Sequence, residues 1–140
     1  MDHSQISLQK QQARKQAKQV RKYLHANQRN IAAQHLLQFA PDLIDKFTSS
    51  IVAGFLPIFT EIDIIPLMTA LAEKHCQLCL PVTPEKPSAL RFRAYFPGQE
   101  LEAGPLNTKH PDASSNQLIP ELVLLPLLAF DMRYNRLGYG

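Results

Sequence analysis

Residues 50–82 read SIVAGFLPIFTEIDIIPLMTALAEKHCQLCLPV, and the order of features in this stretch decides the fold class. Residues 50–56, SIVAGFL, are apolar and begin with β-branched side chains, which predicts a buried strand. Pro57 then opens a loop, PIFTEID. Residues 62–75 predict a helix, with Ile62, Ile65, Leu67, Met68 and Leu71 facing the core. Residues 77–82, QLCLPV, predict a second strand. Strand, loop, helix, strand is the βαβ signature of an α/β fold with a mainly parallel sheet.

The same reasoning extends in both directions. Downstream, Leu90, Phe92, Ala94 and Phe96 alternate with Arg91, Arg93 and Tyr95, which predicts a half-exposed strand. Residues 103–117 are rich in Gly, Pro, Asn, Asp and Ser and predict a long loop. Residues 122–130, within ELVLLPLLAF, predict a third buried strand, with NRLGYG (residues 135–140) past its carboxyl end. Ligands of open α/β sheets bind at that edge. Upstream, residues 7–25 predict a helix with Ser7 as N-cap and a weakly apolar face of Ala13, Ala17, Val20 and Leu24. Asn27 would cap a second helix ending near Pro41, and DLIDKF would add a further helical turn.

A chain of 140 residues with 45% hydrophobic side chains predicts one globular domain spanning residues 1–140. Eleven prolines weigh against a helical bundle. Two cysteines give no disulfide framework, no signal pattern opens the chain, and no apolar run reaches the ~18 residues of a membrane span. A cytoplasmic setting is therefore expected, with no membrane partner. Residues 1–40 carry seven Lys and Arg against one acid, Asp2, whereas residues 41–140 carry eight against eleven acids. The basic arm asks for an anionic partner, or for docking on its own acidic body.

Four features carry chemistry, each with a plainer alternative. Lys10, Arg14, Lys18 and Arg21 form a basic stripe on the first helix; one turn apart, Lys10 and Arg14 would grip phosphate oxygens, or simply face solvent. With Tyr23 as the stripe's one aromatic neighbour, nucleic acid is not expected as a partner. Glu61 in the TEID loop is either a helix-start carboxylate, with Thr60 as N-cap, or a ligand carboxylate at the sheet edge. His75, Cys76 and Cys79 lack a second ligand pair at zinc spacing, so two core thiols are the better reading. In RLGYG, Gly138 and Gly140 allow positive φ and close backbone approach, and Arg136 adds a cation, so the segment is a plain turn or a phosphate cradle.

Taken together, these segments resemble the 5-formyltetrahydrofolate cyclo-ligase family. The resemblance runs from KQQAR (residues 10–14) through FLPIFTEID and FPGQELEAGP to LVLLPLLAFDMRYNRLGYG. It implies a three-layer α/β fold, a mainly parallel sheet flanked by helices, similar to those of ribose-phosphate isomerases and CoA transferases. It also implies use of ATP and magnesium to convert 5-formyltetrahydrofolate into 5,10-methenyltetrahydrofolate, ADP and phosphate. By the same resemblance, Lys10, Gln11, Gln12, Ala13 and Arg14 would contact ATP, with Lys10, Arg14 and Arg136 as the catalytic cations. Arg136, Leu137, Gly138, Tyr139 and Gly140 would begin the ATP loop. Leu56 and Glu61 would line the folate site, joined by Tyr139 and Gly140. In the family the loop continues into further glycines, paired aromatics and a magnesium-binding aspartate. The expectation is accordingly a C-terminally incomplete domain with no metal ligand of its own: an enzyme by descent with poor or no activity at this length, or alternatively an inactive remnant that binds folate or a protein partner. Such a domain would be monomeric if complete and open to self-association as it stands.

Overall fold

The structure is a computed structural model, and it describes residues 2–138. Tyr139 and Gly140 of the expected ATP loop lie outside the described residues. The first helix, α1 (His3–Leu37), runs unbroken where two helices were expected. No Gly or Pro interrupts residues 3–37, so nothing stops propagation. Asn27 caps nothing; its side-chain amide donates to the Tyr23 carbonyl one turn back, at 2.7 Å. Ser7 lies inside the helix, and the N-cap is Asp2, which makes no side-chain capping bond. The second helix, α2 (Ala40–Phe47), begins with Pro41 in its first turn, where a missing N–H costs nothing. The expected DLIDKF turn is the body of this helix.

The side of α1 that meets the body also differs from the sequence reading. Val20 and Leu24 are 58% and 43% exposed. The half-buried and buried positions of α1 are Ile6, Ala17, Arg21, His25, Ala32, Ala33, Leu36 and Leu37. Ala17, Arg21 and His25 follow the four-residue spacing of one helical row. A row with so little apolar surface is hard to see from composition. Its Arg and His pack their stems and keep polar tips available.

After α2 come β1 (Ile51–Ala53), α3 (Ile65–Glu73) and β2 (Gln77–Val82), the predicted strand–helix–strand unit. β1 pairs in parallel with β2, Val52 opposite Leu78. Next come β3 (Arg91–Tyr95), β4 (Glu102–Ala103), β5 (Lys109–His110), β6 (Gln117–Leu118) and β7 (Leu122–Val123). The main sheet among the described residues has the order β6-β3-β2-β1-β7. It is parallel around β1 and antiparallel at β2–β3 and β3–β6. The α/β architecture is the expected one, with a mixed sheet. The expected long loop is tighter than predicted: β4 and β5 form a small hairpin, and β6 joins the main sheet.

The core forms where α3 covers β1 and β2. Leu67, Met68 and Leu71 are buried against Val52, Leu78 and Leu80, while Ile62 precedes the helix and is 39% exposed. Gly54 makes this contact possible. A Cβ there would fall within 2.5 Å of Met68 Cε, so any side chain at this position would have to displace the Met68 tip. Cys76 and Cys79 are core thiols: both are buried, and their Sγ atoms donate to the Phe47 and Val52 carbonyls. Burial pushes the Cys79 thiol up to about 11.

The stretch 122–130 is not one buried strand. Its ladder with β1 covers Leu122 and Val123, and the Leu124 amide adds a bond to the Ala53 carbonyl at 2.8 Å. Pro126 then offers no donor to continue it. Val123, Leu125 and Leu127 are 39–50% exposed and alternate with more buried neighbours, as an edge segment does. The chain goes on to β8 (Ala129–Phe130), which pairs with β9 (Arg136–Leu137) as an antiparallel hairpin.

Candidate functional site

Three pieces of this frame hold the residues singled out by sequence. The loop 54–64 leaves the carboxyl end of β1, the ligand edge of the parallel strands. Within it, residues 58–61 form a turn: the Glu61 amide donates to the Ile58 carbonyl at 3.1 Å, and the Ile58 amide donates to Glu61 Oε2 at 3.0 Å. Phe59, inside the turn, has φ of 54°, a left-handed conformation that costs a side chain about 1 kcal/mol. Reciprocal bonds on both sides of Phe59 hold it there.

Glu61 is the buried charged residue among those described. Burying a carboxylate is costly unless its oxygens are satisfied. Oε2 is satisfied by Ile58, yet Oε1 has no hydrogen-bond partner among the described residues. That oxygen is not sealed off either, since among the described residues no fully buried side-chain oxygen lacks a partner. Glu61 is thus a carboxylate fixed by its own loop, with one oxygen left to accept a bond from outside the chain. The helix-start alternative does not hold. The helix begins four residues later at Ile65, and Asp63 Oδ1 accepts from the Ile65 amide at 2.9 Å. Leu56 is half-buried and packs against the core at the base of the same loop.

The second piece is α1. Lys10, Gln11, Gln12, Ala13 and Arg14 occupy its exposed N-terminal half. Lys10 and Arg14 lie on the helical row that continues through Ala17, Arg21 and His25, the row that meets the body. They therefore point to the body's side of the helix while remaining exposed. Arg21 is where this row reaches the site loop: its Nε donates to Thr60 Oγ1 at 3.0 Å. Along the helix, Arg14 and Lys10 lie about 10 and 16 Å from Arg21. Sequence reading placed Arg21 in the basic stripe without seeing this contact, and placed Thr60 as a cap.

The third piece is the terminal hairpin. Arg136 and Leu137 form β9, so the Gly-rich end follows a returning strand rather than leaving the sheet directly. Asp131 fastens the turn. Its Oδ1 accepts from the Arg133 and Asn135 amides at 2.8 and 3.0 Å, and its Oδ2 from the Asn135 side chain at 2.9 Å. These bonds, the Asn135 side chain first, hold its carboxyl below the usual carboxylate range. No sequence signal singled it out, although an Asp four residues before an Asn in a turn is a recognisable fastener. Gly138 does not use positive φ; among the described glycines only Gly98 does. Gly138 is needed for proximity instead, since a Cβ there would sit 3.0 Å from the Leu128 amide nitrogen.

No group of three or more His, Cys, Asp or Glu able to hold a metal occurs among the described residues. A cavity of about 290 Å³ lies between the end of β2 and the β4–β5 hairpin, lined by Thr83, Arg91 and His110 among others. It contains none of the residues expected from sequence. No helix among the described residues is long and apolar enough to cross a membrane.

Comparison with known proteins agrees with this frame. The chain is 28% identical over 136 residues to the 5-formyltetrahydrofolate cyclo-ligase of Haemophilus influenzae, covering 94% of this chain and 73% of that protein. Its fold is similar to the solution structure of Aquifex aeolicus 5,10-methenyltetrahydrofolate synthetase. The TM-score is 0.72 at 23% identity, covering 94% of this chain and 67% of the other. Residues 6–140 match the profile of the 5-formyltetrahydrofolate cyclo-ligase family. The chain, with its α/β sheet, basic first helix and Glu61 loop, belongs to that family of ligases.

Proposed function

We propose that this chain performs the ATP- and magnesium-dependent closure of 5-formyltetrahydrofolate to 5,10-methenyltetrahydrofolate in the cytoplasm, with release of ADP and phosphate. The observation that carries the reading is Glu61: a buried carboxylate at the sheet's ligand edge, anchored through Oε2 and open at Oε1. An acceptor of this kind suits the N–H groups of a pterin, with Leu56 as apolar contact.

The formyl group is amide-like, and its oxygen is a poor leaving group. In the proposed reaction that oxygen attacks the γ-phosphorus of ATP and ADP departs. The amine N10 then attacks the activated carbon, loses its proton, and phosphate leaves as the five-membered ring closes. Phosphoryl transfer needs little covalent help from protein and much charge neutralisation and positioning. Lys10 and Arg14 on α1 and Arg136 on β9 are suited to that, with Gln11, Gln12, Ala13, Leu137 and Gly138 as their chain neighbours at the proposed nucleotide site. Tyr139 and Gly140, next in the sequence, are assigned to the nucleotide and folate by the family resemblance alone. Magnesium commonly binds through substrate phosphates with one or two carboxylates rather than an all-protein cage. Magnesium would enter with the nucleotide's phosphates and supply charge neutralisation there.

The test is magnesium-dependent ADP formation by the purified chain, started by 5-formyltetrahydrofolate and accompanied by the methenyl chromophore. Stoichiometric ADP and product are expected. ADP formation indifferent to the folate, or no binding of either ligand, would refute the proposal.

A further inference from the structure

We propose that Arg21 is a positioning residue that couples the two substrate sites, fixing the turn that carries Glu61 to the helix that carries Lys10 and Arg14. The inference rests on the functional reading above for what the two sites bind. The contact itself rests on geometry alone.

Four observations converge on it. Arg21 Nε donates to Thr60 Oγ1 at 3.0 Å, across 39 residues of sequence and in a half-buried setting. Thr60 sits between Phe59, held at φ of 54°, and Glu61, whose carboxylate closes the same turn. A strained turn persists only where its surroundings over-determine it, and Arg21 supplies the constraint from outside the loop. Lastly, Arg21 lies on the helical row of Lys10 and Arg14. A shift or rotation of α1 on binding a polyanion is therefore passed to Thr60, and from there to Glu61. By linkage the effect is reciprocal: ordering the Glu61 turn with one substrate prepares the helix for the other.

The experiment measures 5-formyltetrahydrofolate binding by calorimetry, with and without a non-hydrolysable ATP analogue and magnesium. Wild type is expected to bind the folate about fivefold or more tightly when the analogue is present. Arg21→Gln and Thr60→Val are each expected to bring that factor close to one, leave each ligand's separate affinity within about twofold, and show no further loss when combined. Thr60→Ser, which keeps the acceptor, is expected to retain the factor. A factor that survives in Arg21→Gln and Thr60→Val, or that is absent from wild type although both ligands bind, overturns the proposal. If wild type binds neither ligand, the functional reading fails, and amide exchange in the free protein decides the positioning claim. The Ile58 and Glu61 amides, both bonded within the turn, are expected to exchange about tenfold faster in Arg21→Gln. Unchanged protection there overturns the claim independently of any ligand.

Discussion

Gly54→Ala tests the packing that places the Glu61 loop. The added methyl would fall within 2.5 Å of Met68 Cε, so the buried Met68 side chain must shift to admit it. Overpacking of this kind costs about 1–3 kcal/mol. The backbone at Gly54 is not in the left-handed region, so alanine also narrows the unfolded ensemble and returns about 0.4–1 kcal/mol. A net loss of roughly 1–2 kcal/mol follows, which at a urea slope of about 1–3 kcal/mol/M lowers the unfolding midpoint by about 1 M. Met68→Ala alone should cost about 2–5 kcal/mol through the cavity it leaves. In the double variant the new methyl occupies part of that cavity. The combined loss should then fall short of the sum by about 0.5–3 kcal/mol. Urea unfolding of the four proteins closes the cycle. Strict additivity, or a Gly54→Ala midpoint equal to wild type, would refute the claim that Met68 fills the space above Gly54.

Three further outcomes are expected. Glu61→Gln keeps an oxygen for the Ile58 amide but loses the charge, so folate affinity should fall about 10–100-fold with the unfolding midpoint little changed; titration calorimetry checks it. Asp131 has a lowered folded pKa, so its contribution to the hairpin is complete above the ordinary carboxylate range and is lost as pH falls through the lowered value. The Arg133 and Asn135 amides should lose protection on acidification in wild type, and at neutral pH in Asp131→Ala. Cys79, raised to about 11 by burial, favours the folded state below pH 9 and withdraws that contribution as pH climbs from 9 to about 11. Native protein should therefore resist thiol reagents at neutral pH and react only on unfolding, as a colorimetric thiol assay would show.

Residues 50–82 were legible because apolar runs of strand and helix length alternate there and each element meets the core. The site loop was legible as a loop, but the state of Glu61 was not. Its role depends on bonds to Ile58 and on burial beneath a turn, neither of which leaves a pattern in sequence. α1 misled in two ways. Asn27 is a good cap in isolation, but with no breaker nearby its side chain bonded backward to Tyr23 and the helix ran on. The apolar row through Val20 and Leu24 also lost to a row of small and long polar side chains, since the partner surface decides which face is buried. The two-residue strands within 102–118 are too short for any periodicity to register. In 122–130, uniform apolar composition concealed an edge segment exposed on alternate residues and broken at Pro126.

At about 1.5 Å per residue, the 35 residues of α1 extend about 52 Å if straight, against roughly 37 Å for the diameter of a compact chain of this size. The surplus is the end bearing Lys10 and Arg14, with no capping side chain and no acid in its opening turn. Fraying of such an end on the timescale of peptide helices is the expected outcome, with the end bearing buried Ala33 held by packing. Any polyanion gripped there would be registered as a gain of helicity, visible by circular dichroism before a single turnover.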